Sequence, residues 1–203
     1  MKKWHLCLVG VMIAAVLTGC SDSNEPNYSE ADLPYGATML TDTQSGNVPI
    51  TYDRRFFSPE EVKTLSDYFY ALESKDEKLL DDTTLDLYTD FVVESLYQGI
   101  LGMDGLVVDM NSKFAAEEDV PYTIEEVEVK SYYTIDDEES MDLVNLYNML
   151  KELSGDENYI SQHISDGKYI TYNIRTNTDG TIKLFEDQML FLINVDGAYV
   201  VCS

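Results

Sequence analysis

Cysteine, basic residues and histidine are all scarce in this chain of 203 residues, and each scarcity removes a class of function. The three cysteines, Cys7, Cys20 and Cys202, form no C-x-x-C pair, which sets aside redox dithiols and cysteine-rich zinc sites. Thirteen Lys and Arg stand against 38 Asp and Glu, a formal net charge of −25. Such a surface repels phosphate backbones and anionic headgroups, so nucleic acid is excluded as a partner. It draws cations, cationic peptides or basic protein patches, and it also simply keeps a protein soluble. Histidine occurs only at His5 and His163, and no G-x-S-x-G, P-loop or H-E-x-x-H motif is present. Long apolar runs are missing too. The longest, Leu6 to Leu17, has 12 residues, about 18 Å as a helix, well short of the roughly 30 Å of a bilayer core.

What the first residues do contain is Lys2 and Lys3, then that short apolar run, then small residues. This is the build of a secretory signal. Its end, Leu17-Thr18-Gly19-Cys20, resembles the lipobox of bacterial lipoproteins. The resemblance implies cleavage after Gly19, a diacylglycerol on the Cys20 thiol, and a protein held on the extracytoplasmic side of the cell membrane through that lipid. Two acyl chains hold stably, at about 0.8 kcal/mol per buried CH₂. Cys7 leaves with residues 1–19 and Cys20 is acylated, so Cys202 has no partner for a disulfide. It reads as a small apolar residue in a buried final strand. Loss of Lys2 and Lys3 leaves 11 basic and 38 acidic residues, a net of −27.

Residues 20–34 then read as the lipidated cysteine and a flexible acidic tether, and residues 35–203 as a single α+β domain. The domain opens with hairpin character: Gly36 to Thr41, a Gln44-Ser45-Gly46-Asn47 turn, and Val48 to Phe57. A helix follows, because Ser58 is an N-cap, Pro59 takes the first helical position and Glu61 completes a capping box. Val62, Leu65, Phe69 and Leu72 form its apolar stripe, and Glu73 to Asp76 end it. A second helix is expected from about Thr83 to Gln98, with Leu85, Tyr88, Phe91, Val92, Ser95 and Leu96 on one side. Residues 99–121 fit either a short helix or a loop. Strict alternation marks a strand from Tyr122 to Ile135, with Val127, Val129, Ser131, Tyr133 and Ile135 on one face. An inserted helix spans about Glu138 to Leu153, with a Leu143, Leu146, Tyr147, Leu150 and Leu153 stripe. Strands Tyr169–Arg175, Thr181–Val195 and Ala198–Cys202 close the chain, joined by the hairpin dipeptides Asp179-Gly180 and Asp196-Gly197. The apolar phase shifts across Glu186-Asp187-Gln188, which predicts a bulge.

Two segments resemble the nuclear transport factor two-like (cystatin-like α+β cone) superfamily. Leu65-Ser66-Asp67-Tyr68-Phe69-Tyr70-Ala71-Leu72-Glu73-Ser74-Lys75-Asp76 is similar to its opening helix, and Leu192-Ile193-Asn194-Val195-Asp196-Gly197-Ala198-Tyr199-Val200 to its last hairpin. The inserted helix is similar to what uncharacterised exported lipoproteins of this type carry. The resemblance covers about residues 58 to 203. It implies helices packed on a curved antiparallel sheet, with a pocket at the open end of a cone. Members of the superfamily include enzymes, binding modules and dimerisation domains, so the fold alone names no function.

An enzyme of this kind uses an Asp or His base inside the pocket. His163 has no recognisable partner in sequence, and a lone histidine beside a strand is more often structural than catalytic. No catalytic residue is therefore assigned. Tyr68, Tyr88 and His163 are the pocket candidates, although aromatics at helical spacing are more often plain core. Asn177, Asp179, Gly180 and Glu186 fall at positions 3, 5, 6 and 12 of a calcium loop. Arg175 occupies the first corner, where an oxygen is needed, so no metal site is assigned and a hairpin explains the same residues better. No cofactor is expected. The expected function is ligand binding or interaction with an envelope protein. The alternatives are a cone-fold isomerase or hydrolase, or a module that pairs with a second copy.

Overall fold

The computed structural model describes residues 38–40 (backbone only), 48–115, 120–135, 137 and 141–203. The signal, Gly19, Cys20, the tether and the Gln44–Asn47 turn lie outside the described residues.

The capping box forms as the sequence indicates. Ser58 Oγ accepts from the Glu61 N–H at 3.3 Å, and Glu61 Oε2 accepts from the Ser58 N–H at 2.7 Å. Helix α1 (Pro59–Ser74) runs from there to Lys75, whose left-handed backbone (φ 55°) ends it. Its buried side holds Val62, Leu65, Phe69 and Leu72, joined by Tyr68 and Ser66. Ser66 Oγ bonds both the N–H and the carbonyl of Val48, which moors the start of strand β2 (Ile50–Asp53) on the helix.

The second helix departs from expectation. It divides into α2 (Glu77–Thr83), with Asp76 as its N-cap, and α3 (Asp86–Tyr97). Between them Thr84 is extended. Thr83 and Thr84 turn their hydroxyls back onto the Leu79 and Leu80 carbonyls, and the Leu85 N–H donates to Val201 O in the last strand. Starting at Asp86, α3 turns Val92, Val93 and Tyr97 toward the core, and leaves Phe91 and Leu96 42% and 61% exposed. The 99–121 segment contains helix α4 (Met103–Phe114).

The remaining elements are β3 (Thr123–Thr134), α5 (Met141–Ser154), α6 (Tyr159–His163), β4 (Ile164–Thr178), β5 (Thr181–Val195) and β6 (Ala198–Cys202). With the short β1 (Thr38–Leu40) they form one sheet in the order β1-β2-β3-β4-β5-β6. The fold is α+β, and β1–β2 is the antiparallel N-terminal pair expected. The sheet is mixed, not purely antiparallel, because β2 runs parallel to β3, with Ile50 opposite Val127. A parallel neighbour needs a long crossover, which α1 to α4 supply. Both acid-glycine turns hold two left-handed residues, Asp179 and Gly180, then Asp196 and Gly197, as a type I′ hairpin requires. The expected bulge is present: Asn173 faces Glu186 and Asp187 together, and its side-chain oxygen accepts the Asp187 N–H at 3.1 Å.

Strand β3 carries two irregularities, at Glu125 and Lys130, and they shift its alternation. Tyr132, not Tyr133, therefore shares the face of Val127 and packs on Phe57, while Tyr133 stacks on Tyr169 across the sheet.

The principal core lies on that first face. Ile170, Tyr172, Ile174, Leu190, Leu192 and Val201 pack there against α1, α2 and α4. Helix α5 covers one end of the opposite face, setting Leu143, Leu146, Tyr147 and Leu150 on Ile193 and the fully buried Cys202. Burial raises the Cys202 thiol, which keeps it protonated and unreactive. At the edge of the principal core, Lys168 Nζ donates to Glu61 Oε1, with Asp166 Oδ2 at 3.3 Å, which ties β4 to the start of α1.

Contact between α5 and the sheet depends on Gly167. A Cβ there would lie 2.2 Å from Tyr147 Oη and 3.2 Å from Ile193 Cγ2. Gly167→Ala should therefore destabilise the fold by about 1–3 kcal/mol, and Tyr147→Phe in the same chain should restore most of the loss. Urea midpoints check both. An alanine variant as stable as its parent would mean that Tyr147 swings aside freely.

Candidate functional site

The inserted helix and the unequal lengths of β5 and β6 create a groove. Strand β6 ends at Cys202, opposite Phe191, while β5 extends back to Thr181. Beyond the end of β6, the outer face of β5 is left facing α5 across a groove of about 450 Å³. Among the described residues three aromatic rings line it: Tyr169 from β4, Phe191 from β5 and Tyr88 from α3. Met149 and Met189 add thioethers, and Asp142 and Asn145 stand exposed at the rim on α5.

Register explains the aromatic wall. Tyr169 and Phe191 are ladder partners, so their rings meet on one face with centroids 5.1 Å apart and planes at 34°. Tyr133 backs Tyr169, and the Tyr169 hydroxyl donates to Met189 Sδ. Burial, and then the neighbouring Asp142 carboxylate, raise the Tyr169 hydroxyl above its ordinary value. Burial does the same for Tyr88.

Of the residues singled out from sequence, Tyr88 lines this groove. Tyr68 is buried beneath α1 and lines an adjoining hollow of about 80 Å³. Its hydroxyl meets Ser203 Oγ at 2.6 Å, and Ser203 and Met189 border both spaces. His163 lines neither. It ends α6, at the β5–β6 turn, and there it has the partner that the sequence did not reveal. Its Nδ1 lies 3.0 Å from the Asp196 carboxylate, with the Tyr159 ring at 5.0 Å. Both partners are substantially exposed, so the pair contributes little to stability.

A second, polar hollow of about 380 Å³ lies between the end of α1, α4 and the residues before β3. Burial raises the Glu73 carboxyl there, although it accepts the Ile124 N–H. Asn111 donates to Leu72 O at 2.6 Å, and Tyr122 donates to Asn111 O at 3.1 Å. These groups are engaged in holding α4 and β3 onto α1, so the hollow is a structural joint and the groove is the better site.

One signal for the groove was present in the sequence. Met189-Leu190-Phe191-Leu192-Ile193 is apolar without alternation, which marks a strand covered on both faces. Nothing in it points to Asp142 or Asn145. Among the described residues no group of three or more His, Cys, Asp and Glu is placed to hold a metal ion, and no helix is long and apolar enough to cross a membrane. No protein-family model, curated protein or solved structure matches the chain.

Proposed function

We propose that this protein is an extracytoplasmic lipoprotein, anchored through Cys20, whose domain binds a small molecule in the groove between α5 and β5. The groove carries the reading: its volume of about 450 Å³ falls in the range of roughly 300–1,000 Å³ usual for ligand sites. Apolar walls with a few polar groups at the rim are also what such sites require. The lipobox-like Leu17-Thr18-Gly19-Cys20 supports the anchor. The opening helix and the closing hairpin support placing the domain with the nuclear transport factor two-like folds.

Native mass spectrometry on protein released from its host's membranes tests the binding. A discrete extra mass on the monomer is expected, and Cys20→Ala should move the protein from the membrane to the soluble fraction. A bare monomer from every preparation would count against a bound ligand. A second reading rests on exposed apolar residues of β5. Ile182 and Leu184 are exposed there, on the face turned away from the principal core. Exposed apolar side chains on a strand suit contact with another protein surface, and a bare, doubled mass would favour pairing with a second copy.

A further inference from the structure

We infer that the groove between α5 and β5 selects an organic cation, an ammonium group carried on an apolar body; this rests on the groove being a ligand site at all. Three kinds of side chain define it. Tyr88, Tyr169 and Phe191 contribute aromatic rings to its lining, and aromatic rings attract cations. Met149 and Met189 add polarisable thioethers, which suit an alkyl or aryl body. Asp142 sets a carboxylate at the rim beside the Tyr169 hydroxyl.

Among the described residues the lining holds no lysine, arginine or histidine. A carboxylate or phosphate ligand would therefore meet Asp142 with no cation to balance it. A neutral apolar ligand would fill the walls and gain nothing from the carboxylate. Only a cation uses both the rings and Asp142. The charge of the whole chain acts in the same sense. With 38 acidic residues against 13 basic ones, its field raises the local concentration of cations and lowers that of anions.

Three probes of similar size separate these cases when titrated into the full chain by calorimetry and ligand-observed NMR. They are benzyltrimethylammonium, its uncharged isostere neopentylbenzene, and the anion phenylacetate. Benzyltrimethylammonium should bind at least about tenfold more tightly than neopentylbenzene, and phenylacetate should not bind. Asp142→Asn should weaken the cation by about tenfold and leave neopentylbenzene unchanged. Asp179→Asn, on a distant turn, should alter neither. Equal binding of cation and isostere, or equal loss in the Asp142 and Asp179 variants, would overturn the cation assignment while the groove stood as an apolar site. Failure of all three probes would remove the groove reading itself.

Discussion

Lys168→Met should destabilise the fold by about 3–5 kcal/mol, the usual cost of leaving one member of a buried ion pair without its partner. Lys168 and Glu61 are 8% and 3% exposed, so water cannot replace the lost partner. Burial works to lower the Lys168 pKa, but the Glu61 hydrogen bond and charge outweigh it and the net shift is upward. The ammonium therefore stays charged throughout the neutral range. Glu61 has two tasks, since its other carboxylate oxygen accepts the Ser58 N–H in the capping box. Adding Glu61→Gln to Lys168→Met should recover most of the loss, because an amide oxygen keeps the cap while the buried charge disappears. Urea unfolding of the two variants decides the matter. A loss below about 1 kcal/mol for the single variant, the range of exposed pairs, would show that solvent reaches this site.

Raising the pH should unfold the protein in one cooperative step that begins near 10. Burial is the first cause of the raised hydroxyls of Tyr68, Tyr122 and Tyr172, and it pushes Tyr147 up to about 12. In the unfolded chain these phenols ionise near their ordinary value of 10.0. Above that pH the unfolded state releases protons that the folded state retains, so stability falls as pH rises. Lys168 adds to the loss. Its folded pKa is raised, so the stability from its pairing is complete below 10.5 and declines above. Absorbance at the phenolate band and far-ultraviolet circular dichroism should therefore change together for these residues. Smooth phenol titration around pH 10 with secondary structure intact would show the tyrosines to be accessible.

The parts of the fold legible in sequence were those set by short local signals. Ser58, Pro59 and Glu61 specify the start of α1 within four residues, and each acid-glycine pair forces a left-handed turn. The bulge at Asp187 was visible because apolar residues change face on either side of it. What stayed hidden depends on partners distant in the chain. The break between α2 and α3 is held by Val201, and nothing near Leu85 announces it. The extra residue at Lys130 is followed by the polar Ser131, which leaves no apolar residue to mark the change of face, so alternation read straight through β3 places Tyr133 where Tyr132 belongs. Glu61 and Lys168 lie 107 positions apart. His163 was visible, but Asp196, which faces it, reads locally as a turn residue. Of the candidate site, Tyr88 and the inserted helix were legible in sequence; the placement of that helix against β5 and the carboxylate at the rim required the structure.

The helix laid across one end of the sheet divides β4 into two stretches with unequal freedom to vary. Around Gly167 and Lys168 both surfaces of the strand are occupied, by α5 on one side and the start of α1 on the other. Neither position can change without disturbing a neighbour. From Thr171 to Asn177 the odd-numbered residues turn away from the principal core, where Asn173 and Arg175 meet acidic residues of β3. Substitutions at Thr171 and Arg175 alter surface chemistry and leave the interior intact, whereas Asn173 and Asn177 hold the bulge and the turn through their side-chain oxygens. One continuous strand thus combines a segment bound to its present sequence with another open to drift, and the limit between them is the edge of the inserted helix.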